Sequence, residues 1–200
     1  MPNEAPLTES PKTIALIGAT RIGEQIASRA LRSGLNVVID DVSDARLQAI
    51  SIHLRDVVGA QHRGAPGPQD QSDSLRSGFP FAAESPITNL SLTQSVESAI
   101  RAADFLIDTL PDDLEVKLEL FTLFDKFAKP GAIFITTGSI PIDDLAGITF
   151  CPDRCVAVRL TPAPNGDECT VELVSGQQTS SHTVAACGNL FRRSLAFRGE

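Results

Sequence analysis

A short segment with two glycines carries the first candidate chemistry in this sequence. Gly18-Ala-Thr-Arg-Ile-Gly23 follows an apolar run and precedes a stretch with helical spacing. Such turns hold the pyrophosphate of a dinucleotide on backbone N–H groups at a helix N-terminus, where the helix dipole favours an anion. Gly18 would make the tight turn and Gly23 would let the helix approach the sheet, while Arg21 and Ile22 would present amides. Thr20 replaces the usual middle glycine, so its side chain either weakens binding or donates to a phosphate oxygen.

An acidic pair lies at the end of the next apolar run. Asp41 stands 23 positions after Gly18, and an acid about 20 residues beyond such a turn accepts hydrogen bonds from the adenosine ribose. Its charge, with that of Asp40, would repel the 2′-phosphate of NADP, so the spacing predicts NAD as cofactor. Two alternatives stay open: a fold that has lost its ligand, which Thr20 favours, and another adenosine ligand such as S-adenosylmethionine.

The elements that would position these residues alternate between strand and helix. Helices are predicted from apolar residues at helical spacing, with Ser91 to Gln94 as a capping box before the third helix. Asp112 with Glu115 would open the fourth helix, which would turn Leu114 inward. Such an order implies parallel strands with right-handed crossovers, and we predict an α/β fold: a Rossmann-type, doubly wound, mostly parallel sheet in a single domain. Short apolar runs predict strands at 13–17, 36–40, 87–90, 105–110, 132–136, 156–160 and 170–174.

Composition narrows the classes of function. The 200 residues carry a formal net charge of −8, without a Lys/Arg cluster or a run of ~20 apolar residues, which argues against nucleic acid and membrane partners. Segment 1–12 lacks the features of a secretory signal, so we expect a flexible tail and a cytoplasmic location. Segment 59–85, rich in Gly and Pro, predicts a long mobile loop. Cys151 and Cys155 hint only weakly at a metal or redox pair, and we expect buried, reduced thiols and no metal site.

Five segments carry a more specific pattern: 17–23 (IGATRIG), 37–41 (VVIDD), 105–117 (FLIDTLPDDLEVK), 132–139 (AIFITTGS) and 171–174 (VELV). Together they resemble the NAD-binding domain of the 3-hydroxyacyl-CoA dehydrogenases, over about 13–200. The resemblance implies NAD contacts beyond the fourth strand by Asp112 and Lys117, in a pocket lined by Thr109 and Leu110. Thr137 stands where the family has an Asn that contacts the cofactor. Asp112 would equally serve as a helix N-cap, and Lys117 as a solvated lysine.

The resemblance also implies a site for hydride transfer. The family's catalytic dyad is a His, the general base toward the 3-hydroxyl, oriented by a Glu. Glu172 matches that Glu, and Ser139 matches an active-site Ser. In place of His-Phe-Phe-Asn-Pro the chain reads Val158-Arg-Leu-Thr-Pro162, with Arg159 at the expected position of the His. Because an arginine stays protonated near neutral pH, it cannot act as a base, and we expect an ion pair between Arg159 and Glu172.

Two hypotheses on function follow. The first is an NAD(H)-binding domain protein of 3-hydroxyacyl-CoA dehydrogenase ancestry with weak or no dehydrogenase activity, since the catalytic His and the family's C-terminal helical domain are not found. The alternative is an active NAD-dependent oxidoreductase for a 3-hydroxyacyl-CoA or a related 3-hydroxy acid. It would work as a homo-oligomer, in which a partner subunit completes the acyl-CoA site.

Overall fold

The apolar runs of the sequence form one sheet. The computed structural model describes residues 12–59, 87–162 and 169–199. Its strands are β1 (Thr13–Ile17), β2 (Asn36–Asp40), β3 (Leu90–Thr93), β4 (Phe105–Asp108), β5 (Ile133–Thr137), β6 (Cys155–Pro162), β7 (Cys169–Ser175) and β8 (Arg198–Gly199). They pair in the order β3-β2-β1-β4-β5-β6-β7-β8. Pairing is parallel from β3 to β6, whereas β7 runs antiparallel to β6.

Helices cover both faces of this sheet. They are α1 (Arg21–Arg32), α2 (Asp44–Gly59), α3 (Val96–Ala102), α4 (Leu114–Phe127), α5 (Ile142–Ala146) and α6 (Ser181–Gly188), with a 3₁₀-helix at Pro152–Arg154 and a π-helix at Asn189–Ser194. One core lies under α1 and α2 and contains Ile26 and Leu54. The other lies under α3, α4 and α5 and contains Ile100 and Phe121. The predicted doubly wound, mostly parallel α/β fold is therefore confirmed.

The strand order reverses at β1. The chain first builds β2 and β3 on one side of β1 and then β4, β5 and β6 on the other. The loops after β1 and β4 therefore diverge, and such a divergence opens a crevice at the carboxyl ends of the strands. Residues 18–23, 41–43 and 109–113 all reach this carboxyl edge, because each segment follows one of the parallel strands.

The third strand begins later than predicted. Leu90–Thr93 pairs in parallel with residues 37–40 of β2, so residues 91–93 belong to a strand and the predicted capping box at Ser91 to Gln94 is wrong. Ser95 caps α3 instead, and its side chain accepts from the Ser98 amide at 3.3 Å. Residues 91–93 form a strand instead of a helix cap because β2, which is distant in the sequence, provides their hydrogen-bond partners.

The fourth helix also begins one residue later than predicted. Asp113 is its N-cap and accepts from the Val116 amide at 3.2 Å, which corrects the assignment of Asp112. Leu114 in the first turn is 46% exposed, so the expectation that it faces inward is wrong. Helix α5 was not predicted, since its five residues are too short to show a helical period.

The structure tests only some of the remaining predictions from the sequence. The predicted tail and long loop lie outside them, except for Lys12 and for Gly59, which ends α2 instead of opening a loop. All four cysteines are free and buried, as predicted. Burial raises the pKa of Cys155 to about 12, so this thiol stays protonated. None of the helices in the described ranges has the length and apolar character that a membrane crossing requires.

Candidate functional site

The turn after β1 is held tightly between the sheet and α1. Gly18 has a φ of +106°, which glycine adopts without the penalty that a Cβ imposes, and its amide donates to the Asp40 carbonyl at 2.8 Å. A Cβ on Gly23 would lie 2.8 Å from the Gly18 carbonyl oxygen. The first turn of α1 can therefore lie this close to the turn only if residue 23 has no side chain.

Thr20, which replaces the middle glycine, is the N-cap of α1. Its Oγ1 accepts from the Gly23 amide at 3.2 Å, and its hydroxyl hydrogen meets no acceptor among the residues that the structure describes. The amides of Thr20, Arg21 and Ile22 also meet none there. Unused N–H groups at the positive end of a helix form an anion-binding site. Three amides and one hydroxyl are thus available to an anion at this turn.

Asp41 is buried just after β2, and its carboxylate is fully engaged. It accepts from the amides of Ala19 at 2.9 Å and Ser43 at 2.8 Å. The Arg46 guanidinium binds both of its oxygens, with Nη2 2.6 Å from Oδ1. Burial acts to raise the pKa of Asp41, but these hydrogen bonds and the charge of Arg46 outweigh burial and lower it. Ribose hydroxyls can donate to Asp41 only by displacing Arg46, whose side chain is 58% exposed.

Asp40 differs from its neighbour, because its buried Oδ1 has no hydrogen-bond partner in the described part of the chain. Its side chain lines a cavity of about 220 Å³, together with apolar residues that include Val96 of α3 and Leu120 of α4. Burial, and secondly the charge of Asp41, raise the pKa of Asp40 to about 6. Burial therefore penalises the charged form of Asp40, and no donor within the described ranges compensates its Oδ1.

A buried ion pair joins α4 to β4. Lys117 and Asp108 have no exposed side-chain surface, and Lys117 Nζ lies 2.5 Å from Asp108 Oδ2. The ammonium also donates to the carbonyls of Leu110 and Thr137, each at 3.1 Å. Burial raises the pKa of Asp108, while Lys117 and the Leu110 amide act in the opposite direction. Thr136 Oγ1 is a fourth acceptor at 3.3 Å, so the ammonium is fully hydrogen-bonded within the protein. Lys117 is therefore not a solvated lysine, since it holds the loops after β4 and β5, and its contact with NAD stays a prediction.

Two threonines predicted at the cofactor pocket also bond within the protein. Thr109 Oγ1 donates to the carbonyls of Ile17 at 3.0 Å and Gly18 at 2.8 Å. Thr137 Oγ1 donates to the Asp108 carbonyl at 2.9 Å. Both threonines are buried, so their hydroxyls tie adjacent strands together at the carboxyl edge, and their place in a cofactor pocket stays a prediction.

Asp112 joins the loop after β4 to the turn after β5. Its Oδ2 accepts from both the amide and the hydroxyl of Ser139, at 2.8 and 2.7 Å. Gly138 between the two loops has a φ of +121°, and a Cβ there would collide with the Asp112 carboxylate. Both Asp112 and Ser139 are exposed. The two residues therefore form one polar group on the surface of the crevice.

Arg159 and Glu172 face each other across the antiparallel β6–β7 pair. Their charged groups lie 3.8 Å apart, and each side chain is half exposed. The predicted ion pair is thus present. Val158 pairs with Thr137, the last residue of β5, so Arg159 lies just beyond that strand, at the same edge as the turn that holds Ser139.

Two residues of this edge escaped sequence analysis. Asp108 could have been recognised as an acid inside an otherwise apolar strand, nine positions before a lysine on the next helix. The sequence did not distinguish Arg46 from other arginines, because arginines are common on exposed helix faces. Among the residues that the structure covers, no three His, Cys, Asp or Glu side chains are placed to hold a metal ion.

Comparison with known proteins bears directly on this edge of the sheet. The family profile described as "3-hydroxyacyl-CoA dehydrogenase, NAD binding domain" matches residues 13–194. The chain is 29% identical to L-carnitine dehydrogenase of Pseudomonas putida, over 93% of the chain and 53% of that protein. It is 30% identical to the mitochondrial hydroxyacyl-coenzyme A dehydrogenase of Sus scrofa, over 86% of the chain and 53% of that enzyme. The chain thus spans about half the length of these relatives.

Solved structures agree on the fold. The crystal structure of 3-hydroxybutyryl-CoA dehydrogenase from Escherichia coli K12 superimposes with a TM-score of 0.75 at 23% identity, covering 96% of this chain and 38% of that one. The family profile covers nearly the whole chain, and the glycine turn, free amides and buried acid occupy the positions that the fold uses for a dinucleotide. This chain therefore belongs to the NAD-binding domain family of the 3-hydroxyacyl-CoA dehydrogenases, and its cofactor is NAD.

Proposed function

We propose that this chain binds NAD(H) at the carboxyl edge of its sheet and has weak or no 3-hydroxyacyl-CoA dehydrogenase activity of the usual kind. The pyrophosphate would lie on the amides of Thr20, Arg21 and Ile22, with the Thr20 hydroxyl as a further donor. Asp41 would hold the adenosine ribose after Arg46 moves aside. The unused N–H groups of α1 support the first assignment, and the burial of Asp41 beside them supports the second.

The proposed low dehydrogenase activity rests on one observation. Oxidation of a 3-hydroxyl requires a base that takes the hydroxyl proton, while NAD, when bound, accepts the hydride. The residue opposite Glu172 is Arg159, which cannot take up that proton because its guanidinium is already protonated. Losing a general base costs about 10²- to 10⁴-fold in rate, or roughly 3–5 kcal/mol of barrier. Glu172 then neutralises Arg159 instead of orienting a base.

The second candidate is an active NAD-dependent oxidoreductase that works as an oligomer. The polar group formed by Asp112 and Ser139 favours it, because Ser139 is exposed and already oriented by two hydrogen bonds. The half-exposed carboxylate of Glu172 could accept the substrate proton directly. An acyl-CoA or a small hydroxy acid would be the substrate, as the name of the porcine relative suggests.

Two assays on the full chain test the proposal. NADH fluorescence titration should show binding that Asp41→Ala abolishes, because this change removes the ribose acceptor and releases the Ala19 amide. Asp44→Asn, an exposed acid three positions away, should leave binding unchanged. Failure of the wild type to bind NADH at millimolar concentration would refute the proposal.

The second assay follows NADH absorbance with acetoacetyl-CoA. The wild type should turn over close to background, and Arg159→His should raise the rate at least about tenfold by restoring a base opposite Glu172. Brisk turnover by the wild type, lost in Glu172→Gln, would establish the second candidate instead.

A further inference from the structure

The unpartnered carboxylate of Asp40 has a specific place relative to the proposed ribose site. It lies on β2 immediately before Asp41, and both residues line the same cavity of about 220 Å³. A buried acceptor without a donor is rare in native structures and calls for a specific explanation, such as a functional role. Asp40 Oδ1 is the only buried side-chain N or O atom in this condition among the described residues.

Apolar side chains form most of the cavity wall, although Arg46 and Glu119 also line it. Val96 closes it from α3, Leu110 from the loop after β4, and Val116, Leu120 and Leu123 from α4. Pockets that hold whole drug-sized ligands measure about 300–1,000 Å³, so a cavity of about 220 Å³ fits one part of a dinucleotide. The adenine is joined directly to the ribose that Asp41 would hold, and the cavity is the apolar space next to Asp41.

We propose that Asp40, whose Oδ1 is shielded from solvent in this structure, turns its carboxylate toward the cavity when NAD binds, recognises the 6-amino group of the adenine and so selects this base. A carboxylate only accepts hydrogen bonds, and the exocyclic amine is the only N–H donor on the adenine ring of the dinucleotide. A base with a carbonyl at that position would set an acceptor against a buried carboxylate, which leaves both groups unsatisfied. The apolar walls provide affinity for any flat base, and Asp40 provides the discrimination.

Another acid at this cavity must be distinguished from Asp40. Glu119 of α4 also lines it, but Glu119 is exposed to solvent, whereas Asp40 retains only 6% of its surface. A hydrogen bond to an exposed carboxylate competes with water and gains little. Discrimination should therefore depend on Asp40 and not on Glu119.

The inference rests on the proposed NAD(H) binding and is tested by comparing NADH with its hypoxanthine analogue, deamino-NADH, by fluorescence titration at about pH 8, where the carboxylate is ionised. Hypoxanthine presents a carbonyl in place of the amine, and its nearest donor is displaced along the ring edge. The wild type should bind NADH at least about tenfold more tightly than the analogue. Asp40→Asn should reduce this preference to within about threefold, because an amide can turn to accept from the amine or donate to the carbonyl.

Asp44→Asn is the matched control, since this exposed acid follows the same strand without lining the cavity, and it should keep the full preference. If the wild type binds both dinucleotides equally, or if Glu119→Gln abolishes the preference and Asp40→Asn does not, the inference is wrong although NAD(H) binding stands. If NADH itself does not bind, the proposed function fails first.

Discussion

The buried pair of Lys117 and Asp108 provides the sharpest test of the energetics of this domain. Both side chains lack exposed surface, and Lys117 also supports the carbonyls of Leu110 and Thr137. Lys117→Met removes the charge and the donors while nearly keeping the volume. It leaves the Asp108 carboxylate buried without a counter-charge, and removing one partner of such a pair costs about 3–5 kcal/mol.

This loss in the free energy of unfolding predicts a lower melting temperature. For a chain of this size, 1 kcal/mol lowers Tm by about 2–4 °C, so Lys117→Met should lower it by roughly 6–20 °C. Urea denaturation should report the same loss in the free energy of unfolding. Lys126→Met on the exposed face of the same helix is the control, and should change that free energy by less than about 1 kcal/mol.

A double-mutant cycle separates the pair from its parts. Asp108→Asn combined with Lys117→Met removes both charges, so the double variant should be more stable than the sum of the two single losses predicts, with a coupling of about 1–3 kcal/mol. A loss below about 1 kcal/mol for Lys117→Met, or strictly additive losses, would refute the view that this ion pair holds the carboxyl edge together.

Three further predictions concern the turn and the acidic pair. Arg46→Ala should lower the Kd for NADH severalfold in a fluorescence titration, because Asp41 becomes free to accept from the ribose, whereas a tenfold weaker complex would show that Arg46 itself contacts the cofactor. Gly23→Ala should destabilise the fold by about 1–3 kcal/mol in urea and weaken NADH binding, since its Cβ would press on the Gly18 carbonyl 2.8 Å away; unchanged values for both would contradict this. Folded Asp40 keeps its proton to about pH 6, and the unfolded state releases it near 3.8. The protonated Asp40 therefore stabilises the fold below about pH 4, and this contribution is lost as pH rises through 6. At about pH 8, Asp40→Asn should be more stable than the wild type by on the order of 3 kcal/mol in urea denaturation. An equal pH profile for both proteins would refute the raised pKa of Asp40.

The fold could be predicted because its signals are local. Short apolar runs bounded by turn residues specify buried parallel strands, and apolar residues at helical spacing specify the helices that cover them. The errors fell where a distant partner decided the outcome. The residues at 91–93 resembled a helix cap until β2 offered them a ladder, and Asp112 resembled a cap until Ser139 offered it two donors.

The sequence alone determined the glycine turn, the acid after β2 and the family, since all three depend on residue type and spacing along one chain. Only the tertiary structure decided which side chains at the carboxyl edge remain free to bind a ligand. It buried Lys117 on Asp108, placed Arg46 on Asp41 and buried Asp40 Oδ1 beside a cavity with no donor among the described residues. The physical reason is that hydrogen-bond satisfaction and burial depend on which elements meet at the carboxyl edge, and spacing along a chain carries no record of those distances.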